Sequence, residues 1–287
     1  MSGTTTAARP RTRLTPRRLV LHVVLAALAV AMLYPLVWML ASSVKPENEI
    51  FASRSLLPSH VEFANYADGW TGLGTSFGVF LGNSALLAAL SIVGNLLSCS
   101  LVAYAFARLE FAGRRLFFAI MMGTLMLPQH VVLVPQYILF VKMGAADTML
   151  PMVLPKFLAV DAFFIFLMVQ FMRGIPREMD EAAMVDGAGP WRIYRSVVLP
   201  QLRPALVTAA IFTFIWTWND FFTQLLYLSS PSKLTVPLAL QMFLADSGQS
   251  SWGAMFAMTT VSLLPVVLVF VAFQKLIVEG ASTSGMK

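Results

Sequence analysis

This sequence of 287 residues is poor in charge: Asp, Glu, Lys and Arg together make up 12% of it, against roughly 25% in soluble globular domains. Hydrophobic residues make up 58%, and the mean hydropathy is +0.75. Almost no polar stretch is long enough to fold by itself. The sequence therefore excludes a soluble domain of ordinary composition and predicts one integral membrane domain.

The sequence also lacks the residues of several common chemistries. Its one cysteine, Cys99, excludes an intramolecular disulfide framework and lies in an apolar run, where we expect a small buried residue. There is no G-x-x-x-x-G-K-[ST] phosphate loop. Neither a metal-ligand spacing nor a convincing pair of nucleophile and base is evident. We therefore expect no catalytic residue, bound metal or cofactor in this chain.

Six apolar stretches are long enough to cross a bilayer, for which a helix needs roughly 20 mainly apolar residues. They are approximately Leu19–Ser42, Asn83–Phe106, Leu116–Phe140, Leu150–Met172, Pro204–Leu228 and Ala254–Leu276. The predicted fold is thus an all-α integral membrane protein with six transmembrane helices. We expect Pro128 and Pro135 to interrupt the third. A basic tail, residues 1–18, precedes the membrane domain of residues 19–287.

Lys and Arg are distributed unevenly between the two sides of these spans. Fifteen of the 20 lie in the N-terminal tail, the second and fourth loops and the C-terminus. The other five are Lys45, Arg54, Lys142, Lys156 and Lys233. By the positive-inside rule both termini are predicted to be cytoplasmic. The net charge of +6 then reflects topology and anionic lipid, and not nucleic acid, for which no basic and aromatic surface is evident.

The fourth loop, residues 173–203, is the most charged stretch between two apolar ones. Pro176 suits the first turn of a helix, and three acidic residues up to Glu181 place negative charge near the positive end of that helix. This pattern predicts a short helix through about Val185.

A turn and a second short helix are predicted next in the same loop. Asp186, Gly187 and Gly189 supply the turn, and Pro190 suits the start of a helix that we expect to end before Pro200.

Two interpretations of this pair of helices remain open from the residues alone. Trp191, Tyr194 and Val198 recur at helical spacing, which is typical of an amphipathic hairpin that anchors a loop at the membrane surface. Ala182 and Ala183 are small enough to let another surface approach, which favours a docking element for a cytoplasmic partner.

The same loop resembles the cytoplasmic loop of permease subunits in binding-protein-dependent ABC importers, which carries the pattern E-A-A-x-x-D-G-A and then L-P-x-x-x-P. The matching residues here are Glu181, Ala182, Ala183, Asp186, Gly187 and Ala188, then Leu199, Pro200 and Pro204. Other segments, such as "AYAFARLEFAGRR" and "WTWNDFF", are similar to the carbohydrate branch, specifically its maltose-type second permease. The resemblance covers Leu19 to Lys287 and implies a type I importer permease core (MetI-like) in a bacterial inner membrane.

The resemblance implies a permease for a carbohydrate, forming one half of a pore. Its implied partners are a second homologous permease, two ATPase subunits that use ATP and Mg²⁺, and an extracytoplasmic sugar-binding protein. The six residues from Glu181 to Ala188 named above would contact the ATPase, with Glu181 pairing with a basic residue and Gly187 permitting the tight turn. Residues 229–252 would face outward and engage the binding protein. The small, polar residues 280–287 would form a flexible tail that also contacts the ATPase.

Polar residues inside the spans are candidates for the substrate path, because they are costly in hydrocarbon and should face the bundle interior, water or an interface. The candidates are Trp216, Trp218, Asn219 and Asp220. The two indole rings could stack on sugar faces, although a structural role for this segment is the other interpretation. An alternative function is an ion-coupled secondary transporter that uses Asp161 and Asp220 as coupling carboxylates.

Overall fold

A computed structural model describes residues 16–53, 55–245 and 251–284 of the protein. Within those ranges the regular structure is helical, as predicted. The α-helices are α1 (Pro16–Ser42), α2 (Ala64–Thr71), α3 (Phe77–Arg108), α4 (Arg114–Thr124), α5 (Gln129–Lys142), α6 (Leu150–Phe157), α7 (Ala162–Arg173), α8 (Glu178–Val185), α9 (Pro190–Ile193), α10 (Leu199–Gln201), α11 (Arg203–Asn219), α12 (Phe222–Tyr227), α13 (Val236–Ala245) and α14 (Trp252–Ser284). Residues 1–15 of the predicted basic tail lie outside the described residues.

Four helical stretches of the described chain are long and apolar enough to cross a membrane. They are Arg17–Ser42, Phe77–Arg108, Leu150–Arg173 and Trp252–Gln274. A fifth is added if Pro190–Gln201 and Arg203–Asn219, which are bent by 74° relative to each other, are counted as one. By this measure the described residues contain four or five spans and not the six predicted.

The predicted fifth span is counted only as part of the bent pair, and the segment predicted to be the third is absent from both counts. This third segment forms two shorter helices, α4 and α5, which are separated at residues 125–128. Pro128 precedes α5 in an extended conformation (φ −60°, ψ 126°). Proline lacks an N–H group and disfavours a helical conformation in the residue before it, so α4 does not continue through Pro128 into α5. Pro135, in contrast, lies inside α5 without ending it, so the expectation of a second interruption was wrong.

Helix α3 runs through the centre of the fold and contacts α6, α7, α11 and α13. Small and polar residues on its buried faces allow these neighbours to come close. At Gly94, for example, a Cβ atom would lie only 2.6 Å from the ring of Phe157. Asn95 donates a hydrogen bond to the hydroxyl of Thr213 on α11 (2.9 Å). The packing around α3 is therefore tight, and it positions the helices on either side of it.

Residues 229–252, predicted to be an outward loop, contain the ten-residue apolar helix α13. Val236, Ala239 and Phe243 of this helix are buried in a core with α3 and α14, because its hydrophobic side chains can be removed from solvent there. The α13 part of this segment thus belongs to the packed bundle. Residues 246–250 lie outside the described residues.

Helix α1 is exposed along most of its length and packs against the bundle mainly near its C-terminal end. There the rings of Trp38 and Phe256 meet edge to face, with centroids 5.3 Å apart. At the other end of the chain, α14 continues to Ser284, whereas residues 280–287 were expected to be a flexible tail. Residues 285–287 lie outside the described residues.

Candidate functional site

The polar loop predicted over residues 173–203 forms two helices joined by a tight turn, and residues 176–201 are called the hairpin below. Its first helix, α8, ends at Val185 as predicted. Three acidic residues in the first turn of α8 interact favourably with the positive end of the helix. The turn places Gly187 at φ +76°, a left-handed conformation that glycine adopts without steric cost. This conformation agrees with the tight turn that was expected at Gly187.

The second helix of the hairpin begins at Pro190 as predicted but continues to Gln201, so the expected end before Pro200 was wrong. It includes a π-helical turn over Tyr194–Val198, in which backbone hydrogen bonds reach five residues back. This wider turn accommodates the ring of Pro200, which in a regular α-helix clashes with the carbonyl group four residues before it. The helix then bends by 74° into α11, so it lies across the direction of that helix.

The exposed surface of the hairpin combines acidic and apolar side chains. Four of the six residues predicted to contact an ATPase lie on it, namely Glu181, Ala182, Asp186 and Gly187. Four large apolar side chains, those of Met179, Met184, Val185 and Trp191, are also exposed, and Val185 is 89% exposed. Apolar side chains grouped on the exposed surface of a polar loop are typical of a surface that binds another protein.

The inner side of the hairpin packs against the core around α3, α7 and α11. Ala183 and Ala188, the other two predicted contact residues, are half-buried there, so Ala182 and Ala183 face different ways. Tyr194 and Val198 are buried as well. Trp191, expected to share their face, is 64% exposed, and its ring lies beside that of Tyr194 with centroids 5.4 Å apart.

Three residues on one face of α3, spaced four apart, hold the hairpin through polar contacts. The Ser100 and Tyr194 hydroxyl groups lie 2.8 Å apart. The Tyr104 hydroxyl donates to the carbonyl of Pro190 (3.0 Å). Arg108 donates from Nη2 to the carbonyl of Ile175 (2.8 Å), and its Nε lies 3.1 Å from Oδ2 of Asp180.

Sequence reasoning missed these contacts. Asp180 was interpreted only as a charge near a helix end, and Arg108 only as a contribution to topology. Both side chains are more than 90% buried: Arg108 is 5% exposed and Asp180 8%. The available signal was the spacing of Ser100, Tyr104 and Arg108, which places three polar groups on one face of an apolar helix.

The four candidates for the substrate path do not form one site. Trp218 is buried and stacked on Phe214, with centroids 5.4 Å apart, so it belongs to the core. Trp216 is half exposed beside the rings of Phe163, Phe164 and Phe212. The exposed Asn219 donates to the carbonyl of Ile215 in its own helix (2.8 Å). Asp220 accepts from the N–H of Thr223 (3.0 Å) at the start of α12, so a helix-capping contact occupies one of its oxygens.

The predicted fourth span is broken between α6 and α7, where Asp161 forms an ion pair. Lys156 Nζ lies 2.7 Å from Asp161 Oδ2, and both side chains are about one-quarter exposed, at 27% and 26%. Such pairing lowers the cost of placing charges at membrane depth. Both carboxylates considered for an ion-coupled transporter, Asp161 and Asp220, therefore have partners within the chain.

A second polar site joins two loops at the opposite end of the bundle from the hairpin. Asp147 accepts from the N–H groups of Ser229 and Ser230 (2.9 Å each), from the Ser230 hydroxyl (2.6 Å) and from Lys233 Nζ (3.0 Å). The hydroxyl of Ser230, followed by the backbone N–H groups and Lys233, holds the pKa of Asp147 well below its ordinary value. Among the described residues, no group of three or more His, Cys, Asp or Glu side chains is arranged to hold a metal ion.

Comparison with known proteins gives consistent matches over most of the chain. A family profile described as "Binding-protein-dependent transport system inner membrane component" matches residues 94–282. The diacetylchitobiose uptake system permease protein NgcG of Streptomyces coelicolor is 32% identical over 262 residues, 91% of this chain and 86% of that protein. The trehalose/maltose transport system permease protein MalG of Thermococcus litoralis is 29% identical over 94% of this chain and 97% of that protein.

The fold also matches a solved structure. A crystal structure of a bacterial ABC transporter involved in the import of the acidic polysaccharide alginate contains a chain that superimposes with a TM-score of 0.80. The match covers 94% of this chain and 99% of that chain at 24% sequence identity. This likeness confirms the predicted all-helical fold.

Proposed function

This chain belongs to the family of binding-protein-dependent transport system inner membrane components, and we propose that it is the permease subunit through which an ATP-driven importer moves a carbohydrate. The observation that carries the cargo class is that relatives matching about nine-tenths of the chain are named for sugar uptake, of diacetylchitobiose in one case and of trehalose or maltose in another. The family is one of permeases and not of enzymes. The membership of this chain in that family favours an importer over an ion-coupled carrier.

ATP hydrolysis takes place on a separate ATPase subunit in this proposal. The sequence carries no G-x-x-x-x-G-K-[ST] motif, whose backbone N–H groups and Lys would bind the phosphates of ATP. ATP and Mg²⁺ therefore act on the partner. A second homologous permease completes the pore, and the positive-inside distribution of Lys and Arg places both termini and the hairpin in the cytoplasm.

The hairpin is the docking element for the ATPase in this proposal. Its exposed surface offers Met184, Val185 and Trp191 for burial, flanked by the carboxylates of Glu181 and Asp186. An apolar groove with a basic rim would complement it in shape and charge. A membrane anchor would instead need these apolar side chains and the acidic ones on opposite sides, whereas Glu181 and Val185 are both exposed on the same short helix.

Transport then proceeds by alternating access. ATP binding and release by the partner favour one of two arrangements of the spans, and the solute released by an extracytoplasmic binding protein enters the outward-facing arrangement. The energy that the nucleotide supplies must pass through the hairpin, since the hairpin is the docking site.

The experiment that tests the proposal compares uptake with and without the partners. Membrane vesicles containing the complete complex should take up the sugar only with ATP inside and the binding protein outside. Dissipation of the proton gradient should leave that uptake unchanged. Uptake driven by an imposed ion gradient in liposomes that contain this chain alone would overturn the proposal.

A further inference from the structure

The hairpin is held by three consecutive turns of one helix. Ser100, Tyr104 and Arg108 of α3 face three separate parts of it: the second helix, the start of that helix and the first helix. Residues spaced by four positions lie above one another on a helix face. The three contacts therefore form a line about 12 Å long at ~1.5 Å per residue, and we call these three residues the α3 stripe.

A line of contacts restrains the hairpin more than a single contact does. One contact leaves the hairpin free to pivot, whereas three spaced contacts fix its angle to α3 as well as its distance. The ring of Tyr104 also packs on that of Tyr194, with centroids 5.2 Å apart. The hairpin and the end of α3 should therefore move together as one body.

The Arg108–Asp180 pair is a costly way to stabilise a fold. Both side chains are almost completely buried, and among the described residues neither Oδ1 of Asp180 nor Nε of Arg108 has a hydrogen-bond partner of good geometry. Removing two charges from water often costs more than their mutual attraction returns, and apolar side chains of similar size can stabilise such a site equally well. A buried pair does, however, fix geometry, because each charge must stay beside the other. This observation favours a positioning role for the pair.

Helix α3 can distribute a movement at its end through the rest of the fold. It packs along α6, α7 and α11, and side chains such as Asn95 and Ser98 hydrogen-bond to those neighbours (2.9 Å to Thr213 and 2.6 Å to the carbonyl of Lys156). Closely packed interiors shift between discrete arrangements and do not deform continuously. A displacement of the hairpin therefore reaches three other helices through α3.

Docking and transmission use different residues of the hairpin. Glu181, Val185 and Trp191 are exposed and free to meet a partner, whereas Asp180 and Tyr194 are buried and face α3. A substitution on the α3 stripe thus leaves the exposed residues of the hairpin unchanged. The two steps can therefore be separated by mutation.

We propose that the α3 stripe, together with Asp180, is the joint that converts movement of the docked hairpin into rearrangement of the spans. Ser100, Tyr104 and Arg108 are positioning residues in this account. They do not contact the ATPase or the solute. The inference rests on the proposed function, since it assumes that an ATPase docks on the exposed surface of the hairpin.

The test uses the complete complex with its ATPase and binding protein, reconstituted in liposomes, and two variants of this chain. The first, Ser100→Ala/Tyr104→Phe, removes two hydroxyl groups and retains the packing. The second, Arg108→Met/Asp180→Leu, replaces the ion pair by apolar side chains of similar size, so that loss of a single buried charge cannot unfold the chain. Tyr66→Phe is the matched control, because it also loses one hydroxyl contact, to Ser43 (2.9 Å), in the segment that precedes the other end of α3.

Three quantities are measured: ATPase retained on purification, the unfolding temperature, and sugar imported per ATP hydrolysed. Both stripe variants should retain the ATPase and the unfolding temperature while importing about tenfold less sugar per ATP, within the usual range of coupling between sites. Tyr66→Phe should match the unsubstituted complex. Normal import per ATP in both stripe variants would contradict the proposed role of the α3 stripe. Loss of the ATPase from both variants would contradict it as well. Failure of the unsubstituted chain to retain an ATPase would instead contradict the proposed function on which the joint depends.

Discussion

Asp180 and Glu181 are adjacent in α8, but the first is buried and the second is exposed. The carboxylate of Asp180 is buried with Oδ2 3.1 Å from Nε of Arg108, whereas Glu181 is exposed on the hairpin. One carboxylate therefore ties the hairpin to the bundle, and the next is available to a partner. A substitution of Asp180 should consequently affect the attachment of the hairpin to the bundle, whereas a substitution of Glu181 should affect the binding of a partner.

Glu181→Lys should weaken docking without destabilising the chain. The exposed lysine would oppose a basic residue of the ATPase, and we expect about tenfold less ATPase to be retained, which corresponds to ~1.4 kcal/mol. The unfolding temperature should stay within a degree or two, because exposed substitutions usually change stability by less than ~0.5 kcal/mol. Glu110→Lys, on the exposed connection after α3, is the control. Equal retention of the ATPase by the unsubstituted chain, Glu181→Lys and Glu110→Lys would show that Glu181 does not contact the ATPase.

Gly187→Ala should distort the turn of the hairpin, and Gly189→Ala should not. At either glycine an added Cβ would meet no atom of the described residues within 4 Å, apart from the glycine itself and its two chain neighbours. Gly187 has φ +76° whereas Gly189 has φ −75°, so only the first substitution forces a left-handed conformation, at a cost of roughly 1–2 kcal/mol.

The two alanine variants are compared by thermal unfolding and by the ATPase retained on purification. A lower unfolding temperature or reduced retention in Gly187→Ala alone is expected. Indistinguishable results for both glycines would mean that the turn is not constrained by its backbone conformation.

These two glycines show how much of the hairpin the sequence predicted. The positions of the turn and of the second helix start followed from Gly187 and Pro190, which act locally. The first helix begins at Glu178, after Pro176, so the expectation that Pro176 lies in its first turn was wrong. The inward direction of Asp180 depended on its long-range contact with Arg108, and that of Ala183 on packing against the core, which no local pattern encodes. Sequence spacing in α3 could have indicated a polar face but not its partner.

The membrane helices show the same limit. The lengths of the apolar stretches predicted four spans correctly, since the thickness of the hydrocarbon core sets how many apolar residues a spanning helix needs. The break at Pro128 followed from proline chemistry, but whether Pro135 also breaks its helix depended on neighbours. Helix α13 was missed because its ten residues are too few to span a membrane, and its burial between α3 and α14 is a tertiary effect.

The contacts by which Asp147 connects two loops should stabilise the fold at neutral pH and lose that effect at low pH. The pKa of Asp147 is lowered in the folded chain, so the ionised form stabilises the fold fully above the unfolded pKa of about 3.9. That contribution is lost as the pH falls below this value towards the lowered folded pKa. Asp147→Asn should therefore lower the unfolding temperature by a constant amount between pH 5 and 8. A difference that changes across that range, or that widens below pH 4, would contradict this assignment.

The orientation of the chain can be tested with single cysteines. Cys99 is fully buried and would first be replaced by alanine. A cysteine in place of Ser196, exposed on the hairpin, should be protected from an impermeant thiol reagent in intact cells, and one in place of Ser59 should react. A permeant reagent should label both, which controls for local access. Labelling at position 196 from outside would reverse the proposed topology.

The most direct test of the account is uptake by proteoliposomes that contain this chain, its second permease and the ATPase. Radiolabelled sugar, with the binding protein outside, is measured with ATP enclosed, with a non-hydrolysable ATP analogue enclosed, and with an imposed proton gradient and no nucleotide. The account predicts accumulation only with ATP, and its loss when the binding protein is omitted. Accumulation driven by the proton gradient alone, or uptake with ATP that does not need the binding protein, would contradict it.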